Sequence, residues 1–286
     1  MRSPAPDASA LEARARTRLG VLGWPVAHSR SPAIQNAALR AVGLSQWRYQ
    51  LLPVPPELFD ETVRALPDAG FCGANVTIPH KQAALLLADR ASPSARAIGA
   101  ANTLTFDDAG AIDADNTDAP ALLDALPFAA AGGTSLVLGA GGSARAAVWA
   151  LLDAGAREVR VWNRNPGRAR RLCSELGGTP VEVAEPADVL VNCTPVGLHP
   201  AELTLAQLPL EADRLTGFGC VVDLVYRHGG TPLALAARAR SIPVVDGLEL
   251  LVAQGALSFE RFTGRPAPVD AMRAAAGLAP TIKPGR

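Results

Sequence analysis

The sequence predicts an α/β protein of two domains, each built around a largely parallel sheet. Three observations lead there. Short apolar runs alternate with helical patterns from Leu19 onward; the alternation breaks at a Gly/Pro/Ala-rich stretch, Pro127 to Gly133, and begins afresh; and a glycine turn, Gly139-Ala140-Gly141-Gly142-Ser143-Ala144-Arg145, falls near the middle of the 286 residues. Strands of a parallel sheet are covered by helices on both faces, so they read as continuous apolar runs rather than as alternation. A chain of this length that is 49% hydrophobic can fill two ordinary cores.

Each element follows from its local pattern. Leu19 to Leu22 is a short apolar strand, followed by a helix from Pro32 to about Val42. Trp47 to Val54 is the next strand and Pro55 to Leu66 the next helix, which is the rhythm of βαβ units. A third cycle pairs a strand over Cys72 to Ile78 with a helix over Pro79 to Ala88, with Pro79 at the first helical position, where a missing N–H costs nothing. Asn102 to Phe106 and Ala111 to Asp113 read as a hairpin about the turn Asp107-Asp108-Ala109-Gly110. A helix from Thr117 to Leu126 leads into the Pro127 to Gly133 linker. The second series runs strand Ser135 to Leu138, glycine turn, helix Ser143 to Asp153, strand Glu158 to Trp162, helix Arg168 to Leu176, then strands Val189 to Asn192 and Cys220 to Val225. This half is doubly wound. A last helical pattern, Leu248 to Phe262, has apolar positions suited to packing against another domain and is expected to return to the first one.

Composition narrows the partners. The 27 Lys+Arg balance the 27 Asp+Glu, so no long-range field draws the chain to nucleic acid or to an anionic membrane, and the expected ligand is a small molecule. Cys72, Cys173, Cys193 and Cys220 lack C-x-x-C spacing, and His28, His80, His199 and His228 are equally scattered, which argues against zinc and disulfide frameworks and for a reducing cytoplasm. The first 17 residues, rich in Ala, Pro and Arg, read as a disordered tail without the apolar region of a signal peptide, and no apolar run is long enough to span a membrane. Monomer and homodimer both stay open.

In the glycine turn each small residue has a physical task. Gly139 makes the tight turn, Gly141 lets backbone approach a pyrophosphate, and Ala144 permits close helix packing. Phosphates then meet free N–H groups at the helix N-terminus. Such a turn alone is weak evidence, since a flexible glycine turn has the same letters; its place between an apolar strand and a helix is what points to a dinucleotide. The end of the second strand selects the cofactor, because an acid there would bind the ribose 2′-OH of NAD and repel a 2′-phosphate. Here stands Asn163-Arg164-Asn165-Pro166-Gly167-Arg168, and Arg164 and Arg168 can clamp a phosphate or stack on adenine. NADP is expected. The alternative, a basic helix start continuing into Arg170 and Arg171, fits poorly with a macrodipole that disfavours cations at that end.

Four polar constellations lie outside the glycine turn. Gly23 to Pro32 carries Ser29 and Ser31, of which Ser31 can equally be a plain helix cap. Asn75-Val76-Thr77-Ile78-Pro79-His80-Lys81 places a lysine in the first turn of a helix, where it is electrostatically misplaced unless an anion or a function holds it there. Ala101-Asn102-Thr103 is the third, and Asp115-Asn116-Thr117-Asp118 the fourth, where a capping role for Asp115 or Asn116 is the plainer reading. A carboxylate and a lysine meeting at a domain cleft form a proton-transfer pair: the aspartate orients the ammonium, which donates to an oxyanion as hydride arrives. His80 and Arg30 neighbour these groups but read as packing or solvated side chains.

Ser29-x-Ser31-Pro32, Asn75-Val-Thr-Ile-Pro-x-Lys81, Gly99-Ala-Ala-Asn102-Thr103, Asn116-Thr117-Asp118, Gly139-Ala-Gly-Gly142, Asn163-Arg164 and Gln254-Gly255-Ala256 follow one another over nearly the whole chain. In this order they resemble the shikimate dehydrogenases. The resemblance implies that Lys81 and Asp118 are the catalytic pair and that Ser29, Ser31, Thr77, Asn102 and Gln254 hold the hydroxyls and carboxylate of shikimate, with Tyr226 matching the family's substrate-touching tyrosine. It extends the NADP site from Gly139, Ala140, Gly141, Gly142, Ser143, Asn163, Arg164, Asn165 and Arg168 to Leu224, to Thr194 in the loop that flanks the nicotinamide, and to Gly247, where the final helix comes back under it. The implied fold is a two-domain α/β chain: a substrate domain with a mostly parallel sheet, residues 18–118 and 246–286, and a Rossmann doubly wound NADP domain, residues 119–245, set between them. Departures are few: Ala119-Pro120 follow Asp118 where the family usually has glycine, Arg227-His228-Gly229-Gly230 replace a proline-containing turn, and Leu250 stands where methionine is common.

The activity so implied is the NADPH-dependent, reversible reduction of 3-dehydroshikimate to shikimate, on the route through chorismate to the aromatic amino acids. Within the family, quinate or aminoshikimate dehydrogenases are the rivals. A non-catalytic NADPH-binding sensor would not need both Lys81 and Asp118. A methylenetetrahydrofolate dehydrogenase also joins a lysine to a Rossmann domain, but this chain has the twin serines and the Asn-Thr-Asp run instead.

Overall fold

In a computed structural model of the chain, which describes residues 16–198, 204–227 and 229–280, the apolar runs form two six-stranded sheets. The first half follows the order β1 (Arg18–Gly23), α1 (Ser31–Ala41), β2 (Arg48–Pro53), α2 (Phe59–Ala65), β3 (Phe71–Val76), α3 (Lys81–Leu87), β4 (Arg90–Ala91), α4 (Pro93–Ile98), β5 (Thr103–Phe106), β6 (Ile112–Asp115) and α5 (Asp118–Ala125). Its sheet has the order β2-β1-β3-β5-β6-β4. Only β5 runs against its neighbours; the other pairs are parallel.

The second half comprises β7 (Thr134–Leu138), α6 (Gly142–Asp153), β8 (Glu158–Trp162), α7 (Pro166–Leu176), β9 (Thr179–Pro180), β10 (Ala187–Asn192), β11 (Phe218–Asp223), α8 (Pro232–Arg238) and β12 (Val244–Val245). Every pair in its sheet, ordered β12-β11-β10-β7-β8-β9, is parallel. This is the doubly wound order, which reverses between β7 and β10; ligands bind at that switch point, beyond the carboxyl ends of the strands. Helices α9 (Gly247–Thr263) and α10 (Val269–Ala276) complete the described chain.

The burial pattern explains the layers. Val252, Phe259 and Phe262 of α9 and Met272 of α10 share a core with Leu19, Val21, Ile34, Leu39 and Tyr49, so the last helices cover one face of the first sheet. Leu250, one turn into α9, instead joins the core of the second sheet with Val137, Val191 and Val222. Between the sheets a small cluster, Ile98, Ala100, Ala119, Ala146 and Ala150, lets α4, α5 and α6 approach closely. Arg145 crosses the same seam, its guanidinium donating to the Ile98 carbonyl at 2.6 Å and pairing with Glu175 at 2.6 Å.

Several boundaries differ from the sequence-based expectation. Pro79 does not open a helix. The Ile78–Pro79 bond is cis, the chain turns there with the His80 N–H donating to the Thr77 carbonyl, and the helix begins at Lys81. The predicted helix from Pro55 is a 3₁₀ turn, Pro56–Leu58, followed by α2. Thr17, assigned to the tail, accepts a hydrogen bond from the Arg48 N–H at 3.0 Å; residues 1–15, His199 and His228 lie outside the described residues. Helices α4, α8 and α10 and the two-residue strands β4, β9 and β12 have no counterpart in the expected pattern. His80 is a packing residue: it is buried, stacks on Phe59 with ring centroids 4.4 Å apart, and places Nε2 2.7 Å from the Val54 carbonyl.

Candidate active site

The loops that follow β1, β3, β7, β8, β10 and β11 meet between the two sheets. Two more segments reach the same edge because β5 is antiparallel. Asn75, near the end of β3, pairs in register with Thr103 at the start of β5, and Thr103 with Asp115 at the end of β6. The residue before β5, Asn102, and the helix start after β6, Asp118, are thereby delivered to the end of β3, where Lys81 stands.

Lys81 Nζ lies 2.6 Å from Asp118 Oδ2 and 2.8 Å from Ser143 Oγ. Asp118 Oδ1 accepts from the Asn102 side-chain amide at 2.8 Å, so both carboxylate oxygens are committed. The Asp118 and Ala119 N–H groups are capped by Asn116 Oδ1, at 3.1 and 3.2 Å, so one of the two capping candidates caps this helix. Pro120 sits in the first turn, where its missing N–H has no helical partner to lose. At 10% and 17% side-chain exposure, the lysine and aspartate are screened far less than a surface pair.

Around them is a cavity of about 190 Å³ lined by Ser29, Ser31, Thr77, Asn102, Tyr226 and Gln254, together with Thr194, Leu224 and Gly247. That volume lies below the ~300 Å³ from which pockets for drug-sized ligands start, so it suits a small molecule, held by these few polar groups against apolar walls that include Leu122, Leu250 and Leu251. The Tyr226 hydroxyl accepts from the Arg30 N–H at 3.4 Å; burial holds its phenol above the ordinary range, against the opposing effect of the Arg30 N–H and Ser29. It is a neutral donor or acceptor at any working pH.

An adjoining cleft is lined by Gly139, Ala140, Gly141, Gly142, Asn163, Arg164, Asn165 and Arg168, with Lys81, Ser143, Cys193 and Thr194 common to both spaces. These residues fit a dinucleotide. Gly139 has φ +111, and a side chain there would press on the Cys193 carbonyl at 3.2 Å, whereas nothing lies within 4 Å of a Cβ built on Gly141. The N-terminus of α6 has no side-chain cap, which leaves its N–H groups available to phosphate. The guanidinium groups of Arg164 and Arg168 are exposed and carry no carboxylate partner among the described residues. Asn165 caps α7 through a 3.0 Å bond from the Gly167 N–H, while Asn163 donates to the Asn165 carbonyl at 2.9 Å and shapes the loop that bears Arg164.

All the residues assigned from the sequence to substrate, cofactor or proton transfer therefore line one or other of these spaces. What the sequence reading missed is the support beneath them. Ser258, one helical turn after Gln254, has its hydroxyl 2.8 Å from Asn75 Nδ2, 3.0 Å from Thr103 Oγ1 and 3.2 Å from Thr117 Oγ1. Tyr49 donates to Asn75 Oδ1 at 2.8 Å. The i, i+4 spacing from Gln254 was a signal for Ser258; Tyr49 had none.

Asp223 is a further buried group outside the expected set. It accepts from Asn192 Nδ2 at 2.9 Å, from the Val225 N–H at 3.1 Å and from the Thr231 hydroxyl, which ties together the loops after β10 and β11. Burial pushes its carboxyl up to about 6 in spite of these bonds. In the unfolded chain the group loses its proton near pH 4, at about 3.9. Between the two values the native state holds the extra proton, so stability falls as pH rises through this window, and the deficit persists above it. Asp223→Asn should exceed the wild type by about 2–3 kcal/mol in urea unfolding at about pH 8, an advantage shrinking below about 1 kcal/mol near pH 4.5. An equal gap at both pH values would contradict the raised carboxyl.

A phosphate-ready helix start on one side of the cleft and a lysine–carboxylate pair on the other define a dinucleotide-dependent oxidoreductase. Comparison with known proteins agrees. Residues 21–104 match the shikimate dehydrogenase substrate-binding domain, residues 126–194 the shikimate/quinate 5-dehydrogenase domain and residues 247–276 the shikimate 5′-dehydrogenase C-terminal domain. The chain is 46% identical over 283 residues to the NADP(+) shikimate dehydrogenase of Anaeromyxobacter sp. (strain Fw109-5), covering 93% of this chain and 97% of that one. Among solved structures it is similar to the Thermus thermophilus shikimate 5-dehydrogenase in complex with NADP(H) and shikimate (41% identity, 91% and 98% covered, TM-score 0.79) and to the Mycobacterium tuberculosis enzyme (36% identity, 91% and 98% covered, TM-score 0.76). The chain belongs to the shikimate dehydrogenase family.

Proposed function

We propose that this chain catalyses the reversible, NADPH-dependent reduction of 3-dehydroshikimate to shikimate, with Lys81 as proton donor and Asp118 as the group that holds it. The observation that carries this reading is the 2.6 Å Lys81–Asp118 pair at the junction of the small cavity and the dinucleotide cleft. Bound NADPH supplies a hydride from nicotinamide C4 to the substrate carbonyl carbon. As that carbon is reduced, its oxygen gains charge, and the Lys81 ammonium both stabilises it and gives up a proton to it. Asp118 keeps the ammonium aimed, and Asn102 fixes Asp118. Ser29, Ser31, Thr77, Tyr226 and Gln254 provide hydroxyl and amide groups for the substrate's hydroxyls and carboxylate, while Arg164 and Arg168 receive the 2′-phosphate. In this reading residues 18–118 and 246–286 form the substrate domain and residues 119–245 the NADP domain, and the enzyme works in the cytoplasm. No helix among the described residues is long and apolar enough to cross a membrane.

Purified protein should form NADPH from NADP and shikimate, with kcat/KM for shikimate above that for quinate or aminoshikimate; folate-substrate turnover without shikimate turnover would overturn the reading. Arg164→Ala should cut the preference for NADP over NAD by about 10- to 100-fold, the worth of a charged hydrogen bond of about 1.5–3 kcal/mol, with NAD kinetics little changed. An unchanged ratio would make Arg164 a plain surface charge.

A further inference from the structure

An ammonium has three hydrogens, and at Lys81 two are spoken for: one by Asp118 at 2.6 Å and one by Ser143 Oγ at 2.8 Å. The first partner belongs to the first half of the chain and the second to the glycine loop. Ser143 reaches the lysine because the start of α6 lies along its stem. A Cβ built on Gly142 would stand 2.6 Å from Lys81 Cβ, 3.1 Å from Cδ and 3.3 Å from Cγ. No other residue type leaves room for this approach, so the loop that presents N–H groups to a phosphate is also packed against the proton donor. The Ser143 hydroxyl faces the space common to both cavities.

We propose that Ser143 is a positioning residue for Lys81, its hydroxyl accepting the second ammonium hydrogen so that only the third remains to be aimed at the substrate oxygen. The proposal rests on the reading of Lys81 as proton donor given above. In it one residue serves two sites: its main-chain N–H belongs to the phosphate site at the helix start, and its side chain belongs to the acid. The lysine is then aligned only when the glycine loop lies against the first half of the chain, which couples the seating of the cofactor loop to the proton donor. Without the hydroxyl, the ammonium keeps Asp118 but loses its second anchor, so Nζ and its hydrogens swing about the one remaining bond, and the fraction of time a hydrogen points at the substrate falls. A proton donor acts mainly in the transition state, so the loss appears in kcat and not in substrate binding.

The test uses Ser143→Ala and Ser143→Thr in the full chain, with steady-state kinetics in shikimate and NADP and a fluorescence titration of NADPH binding. Ser143→Ala should lower kcat about 10-fold, the scale of one hydrogen bond to a charged group, while KM for shikimate and Kd for NADPH stay within about threefold. Ser143→Thr keeps a hydroxyl on the same carbon and should recover kcat to within about threefold of wild type. An unchanged kcat in the alanine variant, or equal losses in both variants, would overturn the proposal, as would a defect confined to NADPH affinity, which would assign the hydroxyl to the cofactor alone. Full kcat in Lys81→Ala would instead overturn the reading beneath it, a result distinct from any outcome of the Ser143 variants.

Discussion

Lys81→Ala should lower kcat by about 10²–10⁴-fold while moving KM for shikimate only a few-fold. The range is what a positioned general acid contributes, and the asymmetry follows from where the interaction is made. In the ground state the carbonyl oxygen is neutral and gains little from a nearby cation; in the transition state it carries charge and takes the proton. The variant should still fold. Asp118 retains its bond from Asn102 at 2.8 Å and keeps some access to water, and the α3 helix keeps the buried Ala84 and Leu87. Thermal melting separates the two possibilities: a kcat loss with a near-native Tm is the expected pattern, whereas equal losses of stability and activity would mean that the pair serves the fold. A rise in KM with kcat preserved would make Lys81 a binding group and not the acid.

Gly247→Ala should damage the fold and the small cavity together. Its Cβ would stand 2.7 Å from the Val225 carbonyl oxygen, 2.8 Å from the Val225 carbonyl carbon and 2.9 Å from the Asp223 carbonyl oxygen, all of them main-chain atoms. A flexible side chain could swing away; a carbonyl at the end of β11 moves only if the strand end or α9 moves. Overpacking of this kind costs about 1–3 kcal/mol, and here it displaces at once two segments that line the small cavity. Tyr226 lies just beyond Val225, and Gln254 lies two turns along α9, the helix that opens at Gly247 under an Asp246 cap, with Leu248 N–H to Asp246 Oδ1 at 3.1 Å. We expect kcat/KM for shikimate to fall at least ~10-fold together with a stability loss in that range in urea unfolding. Wild-type stability with wild-type kcat/KM would show that the close approach has slack.

The frame of the fold was readable because its signals are local. Continuous apolar runs such as Leu136 to Leu138 and Val189 to Val191 are what strands covered on both faces require, and the glycine turn sits between a strand and a helix as expected. Two of the missed helices were also written in the sequence. Ser92 caps α4 with Pro93 at its first position and Gly99, φ +72, at its end; Thr231 caps α8 ahead of Pro232. At six and seven residues they fall below the length at which a periodic pattern can be seen. Pro79 misled for the opposite reason. A proline before an apolar run is the usual mark of a helix start, and nothing in the neighbouring letters shows that this one lies in a turn two residues upstream.

The residue chemistry alone carried the choice of NADP over NAD, since it depends on which side chains end one strand, and it carried the list of polar groups that a substrate would need. It could not bring those groups together. Lys81 and Asp118 are 37 residues apart, and their meeting depends on β5 running antiparallel to both neighbours, which sends the start of one strand and the end of the next to the same edge as Lys81. The Tyr49, Asn75 and Ser258 network and the Arg145 bridge have the same character: each joins segments 26 or more residues apart. Hydrogen bonds over such separations follow from register and layer packing, which arise from the summed burial of whole strands and helices; no short stretch of sequence contains them.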